Sequence, residues 1–224
     1  MSDPRKSTAD VSKMTLASMF VALAYVSVLL FRLNIMPSAD FLTYDVKDVV
    51  ITLGGLILGP LYALLISVVT AFLEMISISK TGPIGFIMNA LSSSVFACTA
   101  ALIYNRKKNL RNAVIGLVSG VVLMVITMLL WNYIITPMYQ GVPREVVASM
   151  LPTVFLPFNL LKGGMNAAFA FLLYRPVIGM LRAAKLTSAS TSNKAKKTQI
   201  VPLIVAAAVV VTCVMVILSM QGII

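Results

Sequence analysis

The sequence predicts an all-α integral membrane protein, a six-transmembrane-helix bundle plus an additional C-terminal transmembrane helix. Three observations carry this. Of the 224 residues, 59% are hydrophobic and only 11% are charged, a balance far from that of a soluble domain. The apolar residues gather into runs of about 18 residues or more, the length that crosses a hydrocarbon core of about 30 Å. The basic residues, which bring the net charge to +11, lie mainly in the stretches between those runs. Basic residues placed in this way report topology, so no nucleic-acid partner is expected.

Five apolar runs are clear, at residues 14–31, 84–104, 113–136, 153–180 and 200–220. The segment 49–79 is harder to read, because its only charge is Glu74. As one helix it would be about 46 Å long, too long for a single crossing without strong tilt. Gly54-Gly55 and then Gly59-Pro60 offer a break. Charge decides for two spans, a short one at 49–58 and a second at 60–78. Thirteen of the eighteen Lys/Arg then share one side, among them Lys13, Arg106, Lys107, Lys108, Arg111 and Arg175. The positive-inside rule makes that side cytoplasmic. The expected topology has a cytoplasmic N-terminus, six spans over 1–182, a Ser/Thr/Lys-rich cytoplasmic linker over 183–199, and a seventh span over 200–224 ending outside. The polar start, MSDPRKSTADVSK, is followed by no small-residue cleavage site, so no removable signal peptide is expected.

The absence of histidine, and the placing of Cys98 and Cys213 within apolar runs, exclude a disulfide framework and a Cys/His metal site. No nucleophile–base set is visible, so no catalytic residue, metal or cofactor is expected and the chain does not read as an enzyme. No G-x-x-x-x-G-K-[ST] is present either. Uphill transport would therefore draw on ion coupling or on a partner.

Lys162 stands near the middle of the sixth span, with Asn159 three residues before it and Asn166 four after. On a helix these share one face. A lysine at the centre of a membrane helix costs about 2.5–3.5 kcal/mol, so it needs a partner, water or a ligand. Glu74, the one acid within a span, is either its ion-pair partner or a residue near the outer interface. Asp40, Asp45 and Asp48 fall in a loop after span one, read as solvated, with Asp48 capping or opening the next helix. The mixture of Phe41, Leu42 and Tyr44 there suits a loop that folds back as a lid. Arg32 can snorkel to the interface. Asn89 and Asn132 are amides within spans that need hydrogen-bond partners, while Trp131, Tyr133 and Tyr139 suit an outer aromatic belt.

Four segments in order resemble the riboflavin-specific S components of energy-coupling-factor (ECF) vitamin transporters. They are FLTYDVKD (41–48) followed by GGLILGP (54–60), TGPIGFIMNALSS (81–93), NYIITPMYQG (132–141) and LPFNLLKGGMN (156–166). The resemblance implies a membrane protein that captures riboflavin outside the cell. Its implied partners are a transmembrane T component, two cytoplasmic ATPase subunits that supply the energy, and the lipid bilayer. Carried over, the ligand-binding positions are Asn132, Asn159 and Lys162, with Leu42, Thr43 and Tyr44 closing over the site. Gly82, Pro83, Ile84, Gly85 and Asn89 would line it. Ser18 and Ala22 form a small-xxx-small face of the kind the family uses, in an alanine version, to dock the T component. The family body does not require the seventh span. Another vitamin or flavin analogue on the same scaffold, or a non-transport accessory subunit, stays open as an alternative.

Overall fold

A computed structural model describes residues 4–35, 39, 42–79, 81–183 and 200–221. Asp40, Phe41 and, apart from Ala183, the linker expected over 183–199 lie outside the described residues. The element order is α1 (Pro4–Leu30), β1 (Arg32–Asn34), β2 (Thr43–Asp45), α2 (Lys47–Leu58), α3 (Pro60–Ser77), α4 (Gly82–Arg106), α5 (Leu110–Gln140) and α6 (Arg144–Met150). A π-helical turn (Leu151–Phe155), α7 (Leu156–Ala183) and α8 (Ile200–Met220) follow. Among the described residues, Val11–Leu30, Pro60–Ser77, Gly82–Arg106, Leu110–Gln140 and Arg144–Met180 are long and apolar enough to cross a membrane. Leu203–Ser219 is a shorter apolar stretch.

The break in segment 49–79 falls at Gly59-Pro60. Gly59 has φ +112°, a backbone region that side chains disfavour, and Pro60 opens α3, where its missing N–H costs nothing. Gly55 then faces Ala63 so closely that a Cβ on the glycine would lie 2.7 Å from the alanine's. The helix α2, about 18 Å long, therefore folds back along α3.

Around this pair, α1 packs on α2 and α3, α3 on α4, α4 on α5, and α5 on α7. The core joins Phe20 of α1, Leu56 of α2, Ile66 of α3, Phe96 of α4, Met124 of α5 and Ala170 of α7. Small residues set the closest contact. Gly116 and Gly120 of α5 lie against the backbone of α4, where added Cβ atoms would come within 2.7 Å of the Ala100 and Phe96 carbonyl oxygens. The outward faces stay apolar, as Leu61 of α3 and Val118, Val122 and Leu130 of α5 illustrate.

Two features depart from an uninterrupted helical pattern. Residues 32–34 and 43–45 form a short antiparallel hairpin, with Leu33 opposite Tyr44, which pairs backbone groups where the chain leaves α1. The span expected from residue 153 does not begin as a plain α-helix. Pro152 and Pro157 have no N–H for the carbonyls four residues back, and the ladder widens so that Leu156 N donates to Leu151 O.

Candidate functional site

A cavity of about 610 Å³ opens at one end of the bundle, within the range of about 300–1,000 Å³ usual for small-molecule sites. Four parts of the chain build it. The hairpin supplies Arg32, Asn34, Leu42 and Thr43; α4 supplies Met88, Asn89 and Ser92. Asn132 and Met128 come from α5, one turn apart, and Phe158, Asn159 and Lys162 from α7. Spacings of three and four residues put each helix's contributors on one face. Most of the lining side chains are polar, with Leu42, Met88, Met128 and Phe158 as the apolar part of the wall.

Lys162 is buried and does not stand alone. Its Nζ lies 3.2 Å from Asp45 Oδ2 and 3.6 Å from Asp48 Oδ2. Lys47 Nζ approaches the same Asp45 oxygen at 3.4 Å and Glu74 Oε2 at 2.6 Å. Glu74 is thus the partner of Lys47, and the direct Glu74–Lys162 pair allowed by the sequence does not form. Glu74 stands about one turn before the end of α3 and is buried there. Asp45 and Asp48, read as solvated, are each 3% exposed. Two buried ammonium groups recruit them inward, because unpaired charges in a low-dielectric interior cost several kcal/mol each. Asp48 does sit in the first turn of α2, where the helix dipole favours an acid.

Neutral groups complete the network. Ser93 Oγ donates to Asp48 Oδ1, and Asn166 Nδ2 donates to Asp48 Oδ2 at 3.4 Å. Tyr44 Oη donates to Asn166 Oδ1 at 3.0 Å. Burial, with Asp45 and Asp48 nearby, pushes the Tyr44 phenol up, so it stays a donor. Burial also pushes the Asp45 carboxyl up, but Lys162 and Lys47 outweigh it and hold the group below its ordinary value. Asp45 therefore stays ionised. Its Oδ1 is buried without a partner among the described residues.

The two cavity amides are anchored to their own helices. Asn132 Nδ2 donates to Met128 O at 2.7 Å, and its Oδ1 accepts from Thr136 Oγ1 at 2.9 Å. Asn159 Nδ2 donates to the Phe155 carbonyl of the π-helical turn at 2.7 Å. Each amide keeps a second N–H, and among the described residues Asn159 Oδ1 accepts no bond.

The structure thus brings Asn132, Asn159, Lys162, Leu42, Thr43 and Asn89 to one cavity. Tyr44 lies behind it, buried against Leu161 and Met165. Ile84 and Gly85 border a recess of about 20 Å³ beside it, together with Trp131. Gly82 and Pro83 form the turn into α4 and border neither space. Leu42 packs with Val147, Phe155 and Phe158, so this part of the first loop does fold onto apolar surface. Arg32, expected to be able to snorkel to the interface, is exposed, lines the cavity and donates to Thr43 Oγ1 at 3.2 Å and the Ile78 carbonyl at 3.4 Å. Ser18 and Ala22 are exposed on α1, opposite its buried Leu16, Phe20 and Ala24.

Sequence reasoning missed Lys47, Ser93 and the inward turn of Asp45. The alternation of acid and base in Tyr44-Asp45-Val46-Lys47-Asp48 was the available signal, since a charge pair can bury together what neither could bury alone. No group of three or more His, Cys, Asp or Glu placed to hold a metal occurs among the described residues.

Comparisons with known proteins agree with this architecture. The family model described as "ECF transporter, substrate-specific component" matches residues 12–178. The riboflavin transporter RibU of Staphylococcus aureus (strain TCH60) is 27% identical over 172 residues, covering 74% of this chain and 89% of that protein. The riboflavin transporter FmnP of Bacillus subtilis (strain 168) is 27% identical over 189 residues, covering 79% and 98%. A solved structure, described as "Structure and mechanism of the S component of a bacterial ECF transporter", aligns with a TM-score of 0.65 at 26% identity. The alignment covers 77% of this chain and 99% of that one. With three quarters of its length matched by the family model and its bundle shared with a solved member, this chain belongs to the substrate-specific components of ECF transporters.

Proposed function

We propose that the chain captures riboflavin in the cavity between the hairpin, α4, α5 and α7, and passes it inward with energy from a T component and two partner ATPases. The observation that carries the reading is the convergence of Asn132, Asn159 and Lys162 on one cavity of about 610 Å³. An isoalloxazine ring is a large apolar plane with a hydrogen-bonding edge, and the ribityl chain is a row of hydroxyls. Amides that both donate and accept, set among Met128, Phe158 and Leu42, suit both halves. The relatives named as riboflavin transporters support the same ligand. So does the charge state of Lys162. With Asp45 and Asp48 beside it, this lysine presents a polarised donor rather than a free positive charge, which suits a neutral vitamin.

The topology that goes with this function has six crossings, in α1, short α2, α3, α4, α5 and the α6–α7 unit, with α8 as a seventh. The cavity faces outside. Thr81 at the head of α4 borders the cavity, whereas Arg106 ends the same helix, about 37 Å away by its 25 residues. Arg106, Lys107, Lys108 and Arg111 thus cluster at the end opposite the cavity, which supports a cytoplasmic position for that end. Ser18 and Ala22, exposed and small, offer the T component a face for close helix packing.

Purification in mild detergent tests the ligand. Flavin absorbance should copurify, or added riboflavin should bind with quenched fluorescence. A colourless protein that leaves riboflavin fluorescence unchanged at micromolar concentration overturns the assignment.

A further inference from the structure

We infer that α8, through Ile217 and Gln221, positions the β1–β2 hairpin and so sets how readily the cavity opens. The helix lies beyond the residues matched by the family model, and the solved S component is covered almost completely without needing the whole of this chain. It is an addition to the common bundle. Its location is informative, because α8 does more than lie along α7.

Cys213 comes close to Gly164 of α7, 3.9 Å from where a Cβ on that glycine would stand. One turn further on, Ile217 joins Cys213 in packing against the cluster of Leu161, Met165, Ile35 and Tyr44. The first two belong to α7; the last two flank and belong to the hairpin segment. Beyond the helix end, Gln221 Nε2 donates to the backbone carbonyl of Asn34 at 3.1 Å. Asn34 borders the cavity.

The extra helix therefore holds the hairpin from behind while the front of the hairpin faces the ligand space. Two routes lead from it into the cavity. One is direct, through Asn34. The other runs from buried Tyr44 to Asn166, from Asn166 to Asp48, and from Asp48 to Lys162. For the hairpin to swing away from α7 it must leave Ile217 and Gln221 as well as the lysines. A common six-helix bundle ending where the family match ends would lack that restraint.

The part of this inference that concerns a ligand rests on the proposed riboflavin capture, so the test separates the two. Full-length wild type, Ile217→Ala and Gln221→Ala are compared by backbone amide hydrogen exchange without ligand. Exchange at Leu33, Asn34, Thr43 and Tyr44 should quicken by about two- to tenfold in each variant, the scale of losing one net hydrogen bond or a small apolar contact. Exchange in α4 and α5 should stay unchanged, and Ile217→Leu should restore the wild-type pattern. Unchanged exchange in the hairpin overturns the proposal, and so does uniform quickening throughout the bundle, which would mark α8 as general packing. Riboflavin release followed by fluorescence should accelerate by a similar factor in the two variants; equal release rates would also overturn it. A wild type that binds no riboflavin sinks the capture function and leaves the exchange data to decide the role of α8.

Discussion

Lys162 Nζ and Asp45 Oδ2 meet at 3.2 Å across 117 residues of chain, tying the middle of α7 to the strand that borders the cavity. The carboxylate and the ammonium are both buried, and Lys47 shares the same oxygen. The lysine that faces the cavity is thereby fixed by the segment that covers it. The cavity lysine and the hairpin are thus mechanically one unit.

Asp45→Asn should disturb both. It removes the negative charge shared by two lysines and leaves Lys162 with Asp48 as its ion-pair partner, at 3.6 Å. Breaking a buried pair costs about 3–5 kcal/mol, so thermal unfolding in detergent should fall by several degrees and riboflavin affinity should weaken. Unchanged unfolding and unchanged affinity would show that the pair does not form.

Lys162→Ala should weaken riboflavin binding far more than Glu74→Ala. Glu74 contacts Lys47 and not the cavity, so its loss should register mainly as stability. Fluorescence titration of both variants checks this, with the reverse order assigning the ligand-facing charge to Glu74.

Lys47 and Glu74 should be strongly coupled. Either Lys47→Met or Glu74→Gln alone leaves a buried charge short of a partner, while the double variant removes both at 2.6 Å. A double-mutant cycle of unfolding free energies should show a coupling of about 1–3 kcal/mol in favour of the pair. Additive losses would mean that the contact carries no energy of its own.

Asn159→Ala and Asn132→Ala should each weaken riboflavin binding by about two- to tenfold through loss of a single neutral hydrogen bond. Salt should have little effect on wild-type affinity, since buried pairs are poorly screened and Lys162 presents no free charge. A steep fall in affinity with added salt would point instead to an anionic ligand.

Ser18→Leu and Ala22→Leu should leave riboflavin binding by the purified chain intact. Both side chains are exposed on α1, away from the cavity. Uptake by cells should nevertheless drop, because a bulky pair blocks close helix docking. Full uptake with both leucines present would move the T-component surface elsewhere.

The helices were legible because apolar length is a local property, and the Gly59-Pro60 break because both residues act on their own backbone. Asn132, Asn159 and Lys162 drew attention as polar groups in apolar runs, which needs no knowledge of neighbours. Their partners were a different matter. Lys162 finds Asp45 and Asp48 only when α7 packs against α2, and the choice between Glu74 and those aspartates depends on which helix faces which. Arg32 was equally beyond reach, since its place on the cavity comes from a three-residue pairing that strand patterns do not announce. The prolines at 152 and 157 were visible, but the way the backbone absorbs them was not.

That absorption fixes an angular register. A turn closed five residues apart takes up one residue more than an α-turn, so α7 is rotated by about 100° relative to an uninterrupted continuation of α6. The same residues wound as α-helix throughout, without the wide turn, would carry the face of α7 about 100° round. Asn159 and Lys162 would then turn to a different compass bearing relative to Val147 and the rim of the cavity. The side of α7 that meets the cavity is thus set by how the backbone winds between two helices as much as by which residues it carries.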